Sequence, residues 1–270
     1  LSLYGHFNFY FLNRNAYFRI GQGVALAGKP YDAETNYQNN AYGTKLLSST
    51  YIALQYNKQN IYKGFGVNAG FTVVHYSNAN LRAPNNSTNT FAFNVGANYN
   101  LDHEEFPEYI PEGERTKYTE PVHYNLVLRG GVNESDIIGQ GRFPFFVVSA
   151  FADKRINHKS TLVAGTDVFF AYFFKELIKL QAASFPELEV DGDEDWKRVG
   201  LFVGHELRFN KIAFVSHLGY YIYYPYEFEN RLYNRLGLKR YFSEDVFASV
   251  TVKAHGAKAE GVEFSVGYRF

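Results

Sequence analysis

Apolar side chains alternate with glycine or polar side chains along the last strand-like segment of the chain. Every second residue from Val262 to Phe270 is apolar, and the residues between them are Glu263, Ser265, Gly267 and Arg269. Because successive side chains of a β-strand point to opposite faces, this segment has one apolar face and one polar face. The apolar face would meet a second sheet in a soluble sandwich and lipid in a membrane barrel, so a single strand does not decide between them.

The same alternation recurs along the whole chain and predicts thirteen strands. Besides the segment that ends at Phe270, strand-like runs lie at 2–12, 15–28, 48–57, 62–77, 89–101, 121–132, 143–153, 159–175, 197–209, 211–223, 230–242 and 246–254. Strands of roughly 10 residues or more are long for a soluble sheet but suit a tilted crossing of a bilayer about 30 Å thick. Most connections alternate between short turns and longer loops, which is typical of outer-membrane barrels. We therefore predict an all-β fold, a transmembrane antiparallel β-barrel.

The strand count bears on the closure of the barrel. Bacterial single-chain barrels close with an even number of strands, so we expect about 14 strands, with a signal sequence and at least one strand before Leu1. A miscounted strand is the alternative. No Gly/Ser-rich or Pro-rich linker interrupts the series, which predicts that residues 1–270 form a single outer-membrane barrel domain.

Composition narrows the functional classes. The 26 Phe and 23 Tyr residues suit the aromatic girdles and lipid face of a barrel. The formal net charge is zero, which removes the electrostatic basis for a nucleic-acid partner. The sequence contains no phosphate-binding loop, no dinucleotide fingerprint and no G-x-S-x-G elbow, and His205 and His255 lack metal-ligand spacing. We therefore predict neither a cofactor nor a metal.

Several charged residues fall on the inward parity of the predicted strands. We expect a salt-bridge lining rather than a transport pathway or a metal site. The residues concerned are Arg129, Asp167, Glu206, Arg208, His217, Lys239, Glu263 and Arg269.

Candidate chemistry lies at the outer end of two neighbouring strands. His75 and Ser77 continue the lipid-facing parity of residues 65–73, and Asn89 continues that of residues 91–99. Polar groups are costly in lipid, and a His beside a hydroxyl is the basic unit of nucleophilic catalysis. The alternative is that these exposed side chains lie at headgroup level, where they cost little.

The segment His75-Tyr76-Ser77-Asn78-Ala79, followed by Pro84-Asn85, resembles the active site of the PagL-type lipid A 3-O-deacylases. These are outer-membrane serine esterases whose His-x-Ser-Asn motif faces lipid. The wider chain is similar to the larger acyloxyacyl-hydrolase-like members of the group. The segments that carry this second resemblance are 29–32, 39–44, 247–255 and 267–270.

The resemblance implies a role for each matched residue. Ser77 is then the nucleophile and His75 its base, while Asn78 and backbone N–H groups around Asn80 hold the oxyanion. Asn80 replaces a family Gly, which is tolerable because Asn visits left-handed backbone readily. Asn89 replaces the family Glu, the third catalytic residue beside the nucleophile and its base. An amide fixes the tautomer of the imidazole but does not supply a full charge.

This substitution leaves the activity open. We expect the activity to be reduced, absent, or restored by a carboxylate, either from a neighbouring loop such as Asp32 or Glu34 or from the expected N-terminal part before Leu1. The first interpretation is a cofactor-free esterase of the bacterial outer membrane that acts on lipid A or lipopolysaccharide among outer-membrane lipid. The alternative is a catalytically silent barrel that serves an outer-membrane complex through a protein partner. A small-solute channel is the third.

Overall fold

The computed structural model describes residues 1–102, 117–134 and 138–270. These contain thirteen antiparallel strands and one α-helix, so the predicted all-β barrel class is confirmed. Among the described residues, no helix is both long enough and apolar enough to cross a membrane. The chain divides into two compact units, the first with residues 1–78 and 85–102 and the second with residues 79–84 and the described residues from 117 onward.

The first unit is a five-stranded antiparallel sheet in which neighbouring strands follow the order of the chain. Its strands are β1 (Ser2–Phe11), β2 (Ala16–Leu26), β3 (Leu46–Tyr62), β4 (Phe65–Ser77) and β5 (Thr88–Tyr99). One face carries a ladder of amides, in which Gln55 and Asn94 exchange two hydrogen bonds of 2.9 and 3.1 Å. The opposite face is apolar, with Phe93 84% exposed. The predicted alternation therefore holds in this sheet.

The second unit is a closed eight-stranded barrel. Its strands are β6 (Val122–Glu134), β7 (Arg142–Arg155), β8 (Ser160–Ala171), β9 (Arg198–Phe209), β10 (Ile212–Tyr223), β11 (Leu232–Tyr241), β12 (Val246–His255) and β13 (Lys258–Arg269). The ring closes where β13 pairs with β6, in the register Phe264 opposite Gly130 and Arg269 opposite Asn125.

The closed ring thus holds eight strands, whereas the sequence led us to expect about fourteen. Because the closed ring has an even number of strands, it closes although the described residues contain thirteen strands in total. The prediction that residues 1–270 form one domain stays a prediction.

Charged side chains fill the interior of this barrel. The fully buried guanidinium of Arg235 donates to Glu263 at 2.5 Å and to Asp167 at 2.9 Å. Lys239 donates to Glu206 at 2.5 Å. Buried charges persist only when they are paired and hydrogen-bonded, and these are.

The predicted salt-bridge lining is therefore confirmed for these residues. Of the remaining predicted inward residues, Arg129, His217 and Arg269 are buried and Arg208 is half-buried over the ring of Tyr241. A barrel interior filled in this way argues against the channel alternative for this unit.

One helix departs from the predicted secondary structure. The sequence pattern extends a strand to residue 175, but β8 ends at Ala171 and α1 (Tyr172–Ser184) follows directly. Residues 173, 174, 177 and 178 are buried, and this spacing is that of one helical face. A 3₁₀ helix (Pro186–Leu188) comes next. Continuous aromatic residues fit a buried strand and a buried helix equally well, which is why the prediction was wrong here.

Candidate active site

Two adjacent strands bring the candidate residues together. β4 and β5 pair with His75 directly opposite Asn89, Val73 opposite Phe91, and Phe71 opposite Phe93. Directly opposite residues project from the same face of a sheet, so His75 and Asn89 lie on the face that carries the phenylalanines. The parity predicted for these residues is confirmed.

A hydrogen bond joins these two side chains. Nδ1 of His75 lies 2.8 Å from Oδ1 of Asn89. An amide oxygen only accepts hydrogen bonds, so Nδ1 must carry the proton. The neutral ring then has its lone pair on Nε2, which is the tautomer that a general base needs.

Ser77 is the last residue of β4. Its hydroxyl donates to Oδ1 of Asn85 at 3.0 Å, and the same oxygen accepts the backbone N–H of Asn78 at 2.9 Å. Ser77 is only 4% exposed, so the expectation of an exposed hydroxyl at the rim was wrong. Two donors converge on one amide oxygen, and this fixes the end of the strand.

Asn85 is the functional candidate that the sequence reasoning did not single out. It lies eight residues after Ser77, inside the segment that carries the family resemblance, but no role was assigned to it. Its carboxamide is the recorded acceptor of the Ser77 hydroxyl, and such a group also has two N–H donors. Only the Pro84-Asn85 match in the sequence pointed to it.

The loop that continues from Asn78 has an unusual backbone. Ala79 and Asn80 have φ values of +52° and +61°, in the left-handed region. Asn80 adopts it as expected, whereas Ala79 is in a region that non-glycine residues enter rarely. Asn78 and Asn80 are both buried, at 1% and 7% exposure.

Glu134 contacts this loop twice within the second unit. The backbone N–H of Glu134 donates to the carbonyl of Asn80 at 3.0 Å. The backbone N–H of Ala83 donates to Oε2 of Glu134, also at 3.0 Å. Glu134 is the last residue of β6 and is buried.

A carboxylate from a neighbouring loop was considered as a replacement for the family Glu at position 89. Oδ1 of Asp32 accepts the N–H groups of Glu34 and Thr35 and the hydroxyl of Thr35, which gives it a role in its own turn. Nδ1 of His75 is hydrogen-bonded to the neutral amide of Asn89.

A second cluster of ionisable groups lies in the barrel unit. Glu229, His255 and Glu260 place potential metal-ligating atoms within 4.8 Å of one another. Lys253 donates to Glu260 at 2.5 Å, and Lys258 lies 3.1 Å from Glu229. These ammonium groups already neutralise both carboxylates, so the chemistry of the cluster fits an ion-pair network better than a cation site. The loop carrying Glu229 completes it, which the spacing of His255 alone did not reveal.

Two family models match the chain. Residues 122–270, more than half of the sequence, match the acyloxyacyl hydrolase C-terminal domain (PagL_C). Residues 1–98 match lipid A 3-O-deacylase (PagL). The chain belongs to the PagL family. The second match contains His75, Ser77, Asn78, Asn80, Asn85 and Asn89, so the candidate site lies in the PagL part of the chain.

Membership of the PagL family implies lipid A deacylation. No curated protein is similar enough to the chain to count as a match. Among solved structures, a mutant of the Rh. blastica porin is 11% identical, covering 100% of this chain and 89% of its own, with a TM-score of 0.21. A deletion mutant of the TodX monoaromatic hydrocarbon channel is 10% identical, covering 99% and 82%, with a TM-score of 0.23. TM-scores this low carry no argument about this PagL-family chain.

Proposed function

We propose that this chain is an outer-membrane serine esterase that removes an ester-linked acyl chain from lipid A or lipopolysaccharide. The observation that carries the proposal is the bond between His75 and Asn89, made two residues from Ser77 on the same strand. It selects the imidazole tautomer that accepts a proton at Nε2. The face concerned is apolar, which suits a substrate that lies in the outer leaflet.

The reaction follows the chemistry of these groups. Oγ of Ser77 attacks the ester carbonyl carbon while Nε2 of His75 takes the hydroxyl proton. The carbonyl oxygen becomes an oxyanion. When the C=O bond re-forms, the bond between the carbonyl carbon and the sugar oxygen breaks, and His75 returns the proton to the sugar oxygen. An acyl group is left on Ser77. Water attacks it by the same route, releasing the fatty acid and restoring the serine.

Oxyanion stabilisation is assigned to the amide groups that surround Ser77. The family resemblance assigns Asn78 and the backbone N–H groups near Asn80 to this role. Asn85 adds a carboxamide whose oxygen binds Ser77 in the resting arrangement. For attack, the Ser77 hydroxyl must turn from Asn85 toward His75. The amide of Asn85 is then free to donate a hydrogen bond to the oxyanion as it forms.

The neutral third residue limits this chemistry. Asn89 orients the ring but does not balance the imidazolium with a full negative charge, so we expect slower turnover than with a carboxylate. This observation also favours the second candidate, a catalytically silent barrel that acts as a structural or accessory subunit. The proposed partners are lipid A and outer-membrane lipid in the first case, and an outer-membrane protein in the second. Neither needs a cofactor.

The test is release of fatty acid from purified lipid A, followed by mass spectrometry of both products. Wild-type protein should release a fatty acid, and Ser77→Ala should release none. Ser49→Ala is the matched control, because Ser49 is a buried serine on the adjacent strand that bonds Tyr4 instead. Equal release by wild type and Ser77→Ala would rule out Ser77 as the nucleophile. No release from any lipid A tested would favour the accessory subunit.

A further inference from the structure

The loop 79–84 continues directly from Ser77 and Asn78, and Glu134 at the end of β6 makes two hydrogen bonds to it. One bond joins the main chain of Glu134 to Asn80, and the other joins its side chain to Ala83. Glu134 is 6% exposed, so the side-chain bond is made away from bulk water.

These two bonds constrain the geometry of the loop. The bond to the Asn80 carbonyl fixes the peptide plane after Asn80, and the bond from Ala83 fixes the loop three residues later. Between Asn78 and this anchor, Ala79 and Asn80 are held in left-handed conformations. Such conformations persist only where their surroundings hold them. Without the two bonds to Glu134, the peptide groups near Asn80 lose one constraint on their orientation.

We propose that Glu134, at the end of β6, is a positioning residue that holds the loop 79–84 in the conformation needed for oxyanion binding near Asn80. It acts through its hydrogen bonds with Asn80 and Ala83. This inference rests on the proposed function and adds a residue outside the part of the chain that matches lipid A 3-O-deacylase, since Glu134 lies within residues 122–270.

The test compares Glu134→Ala, which removes the acceptor, with Glu134→Gln, which retains an oxygen that accepts the Ala83 N–H. We expect Glu134→Ala to lower kcat by about 10- to 100-fold, because misplacing a catalytic group by about 1 Å costs on the order of 100-fold. KM should change by less than about threefold. Glu134→Gln should recover most of the loss. Asn133→Ala is the matched control, since Asn133 is the buried neighbour of Glu134 but donates to the Glu260 carbonyl.

A second measurement does not depend on turnover. Hydrogen exchange of the peptide that contains Ala83 should be at least about tenfold faster in Glu134→Ala, and unchanged in Glu134→Gln and Asn133→Ala. Labelling of Ser77 by a fluorophosphonate, in which the serine displaces fluoride from phosphorus, should slow in Glu134→Ala alone.

The outcomes separate the two proposals. If wild type deacylates lipid A and Glu134→Ala does so at the same rate, the positioning role is wrong and the esterase stands. If wild type does not deacylate lipid A, the esterase fails, and unchanged exchange and labelling in Glu134→Ala would overturn the loop anchor as well. Should Glu134→Ala not fold, Glu134→Asp takes its place, because it draws the carboxylate back by one methylene. Equal kcat for Glu134→Asp and Glu134→Gln would then overturn the proposal.

Discussion

Nδ1 of His75 lies 2.8 Å from Oδ1 of Asn89, the residue directly opposite it on the neighbouring strand. The pairing register of β4 and β5 sets this contact, because cross-strand partners project side by side from one face. The ring is therefore held by a neutral amide in the tautomer that leaves Nε2 unprotonated. A carboxylate would both orient the His75 ring and supply a negative charge, whereas Asn89 only orients the ring.

Restoring the charge at position 89 should raise activity. Asn89→Glu places a carboxylate beside the imidazolium that forms as Ser77 attacks. We expect a gain in kcat of about 10- to 1,000-fold, since the reverse change in a serine protease costs about 10⁴. Asn89→Gln, equal in length but neutral, should give no gain. Initial rates of fatty acid release measure both. Strong wild-type activity that Asn89→Glu leaves unchanged would mean that another carboxylate serves His75.

A substitution at Asn85 should separate its role in accepting hydrogen bonds from its role in donating to the oxyanion. Asn85→Asp retains oxygens that accept the Ser77 hydroxyl and the Asn78 N–H, so the folded protein should keep its thermal stability. It replaces the amide donors by a negative charge, which opposes an oxyanion. We expect kcat to fall by about 100- to 1,000-fold, the range for loss of one oxyanion donor. An active Asn85→Asp variant would exclude Asn85 from oxyanion binding.

The facing of the first sheet can be tested by labelling single cysteines in membranes. Val67→Cys, Phe71→Cys and Phe93→Cys lie on the predicted lipid face and should react with a lipid-soluble maleimide. Asn68→Cys and Asn94→Cys lie on the amide face and should not react. The chain has no native cysteine, so no background variant is needed. The reverse pattern would place His75 and Asn89 away from lipid and remove the support for an interfacial esterase.

Stability at low pH should depend on Glu120, which precedes β6. Burial alone would raise the pKa of Glu120, but hydrogen bonds from Tyr118, Arg269 and Arg155 lower it to about 2. A carboxyl whose pKa is lower in the folded state stabilises the protein above its unfolded pKa, here an ordinary 4.5. That contribution disappears as the pH falls from about 4.5 towards 2.

Glu120→Gln should therefore reduce the loss of stability over this pH window, and it should be less stable than wild type at pH 7. Thermal unfolding in detergent, measured from pH 7 to pH 2, checks both. Glu244→Gln, in the exposed turn between β11 and β12, is the control. Identical pH profiles for Glu120→Gln and wild type would show that these bonds do not stabilise the fold.

Much of the strand pattern could be read from the sequence. The predicted run at 143–153 is observed as Arg142–Arg155, and the run at 89–101 as Thr88–Tyr99. These segments alternate over ten residues or more, so their period is unambiguous. The run at 159–175 was too long because its aromatic end has no clear period, and four of its residues form the first turn of α1.

The residues of the candidate site were also predicted only in part. His75, Ser77 and Asn89 were found because strand parity puts them on one face, and parity depends only on residue number. Asn85 and Glu134 were not assigned a role because both act through the fold of a loop. The hydrogen bonds of that loop join residues 80 and 83 to a strand that begins at Val122, and no periodicity links such positions.

The sequence by itself determined which segments are strands and which face of each is apolar. Both follow from local sterics, because alternate side chains of any extended chain point to opposite sides. Only the tertiary structure decided that β13 pairs with β6 to close a ring of eight, and that Glu134 bonds the loop 79–84. These features depend on hydrogen bonds between residues far apart in the chain, whose partners are selected by the fold as a whole.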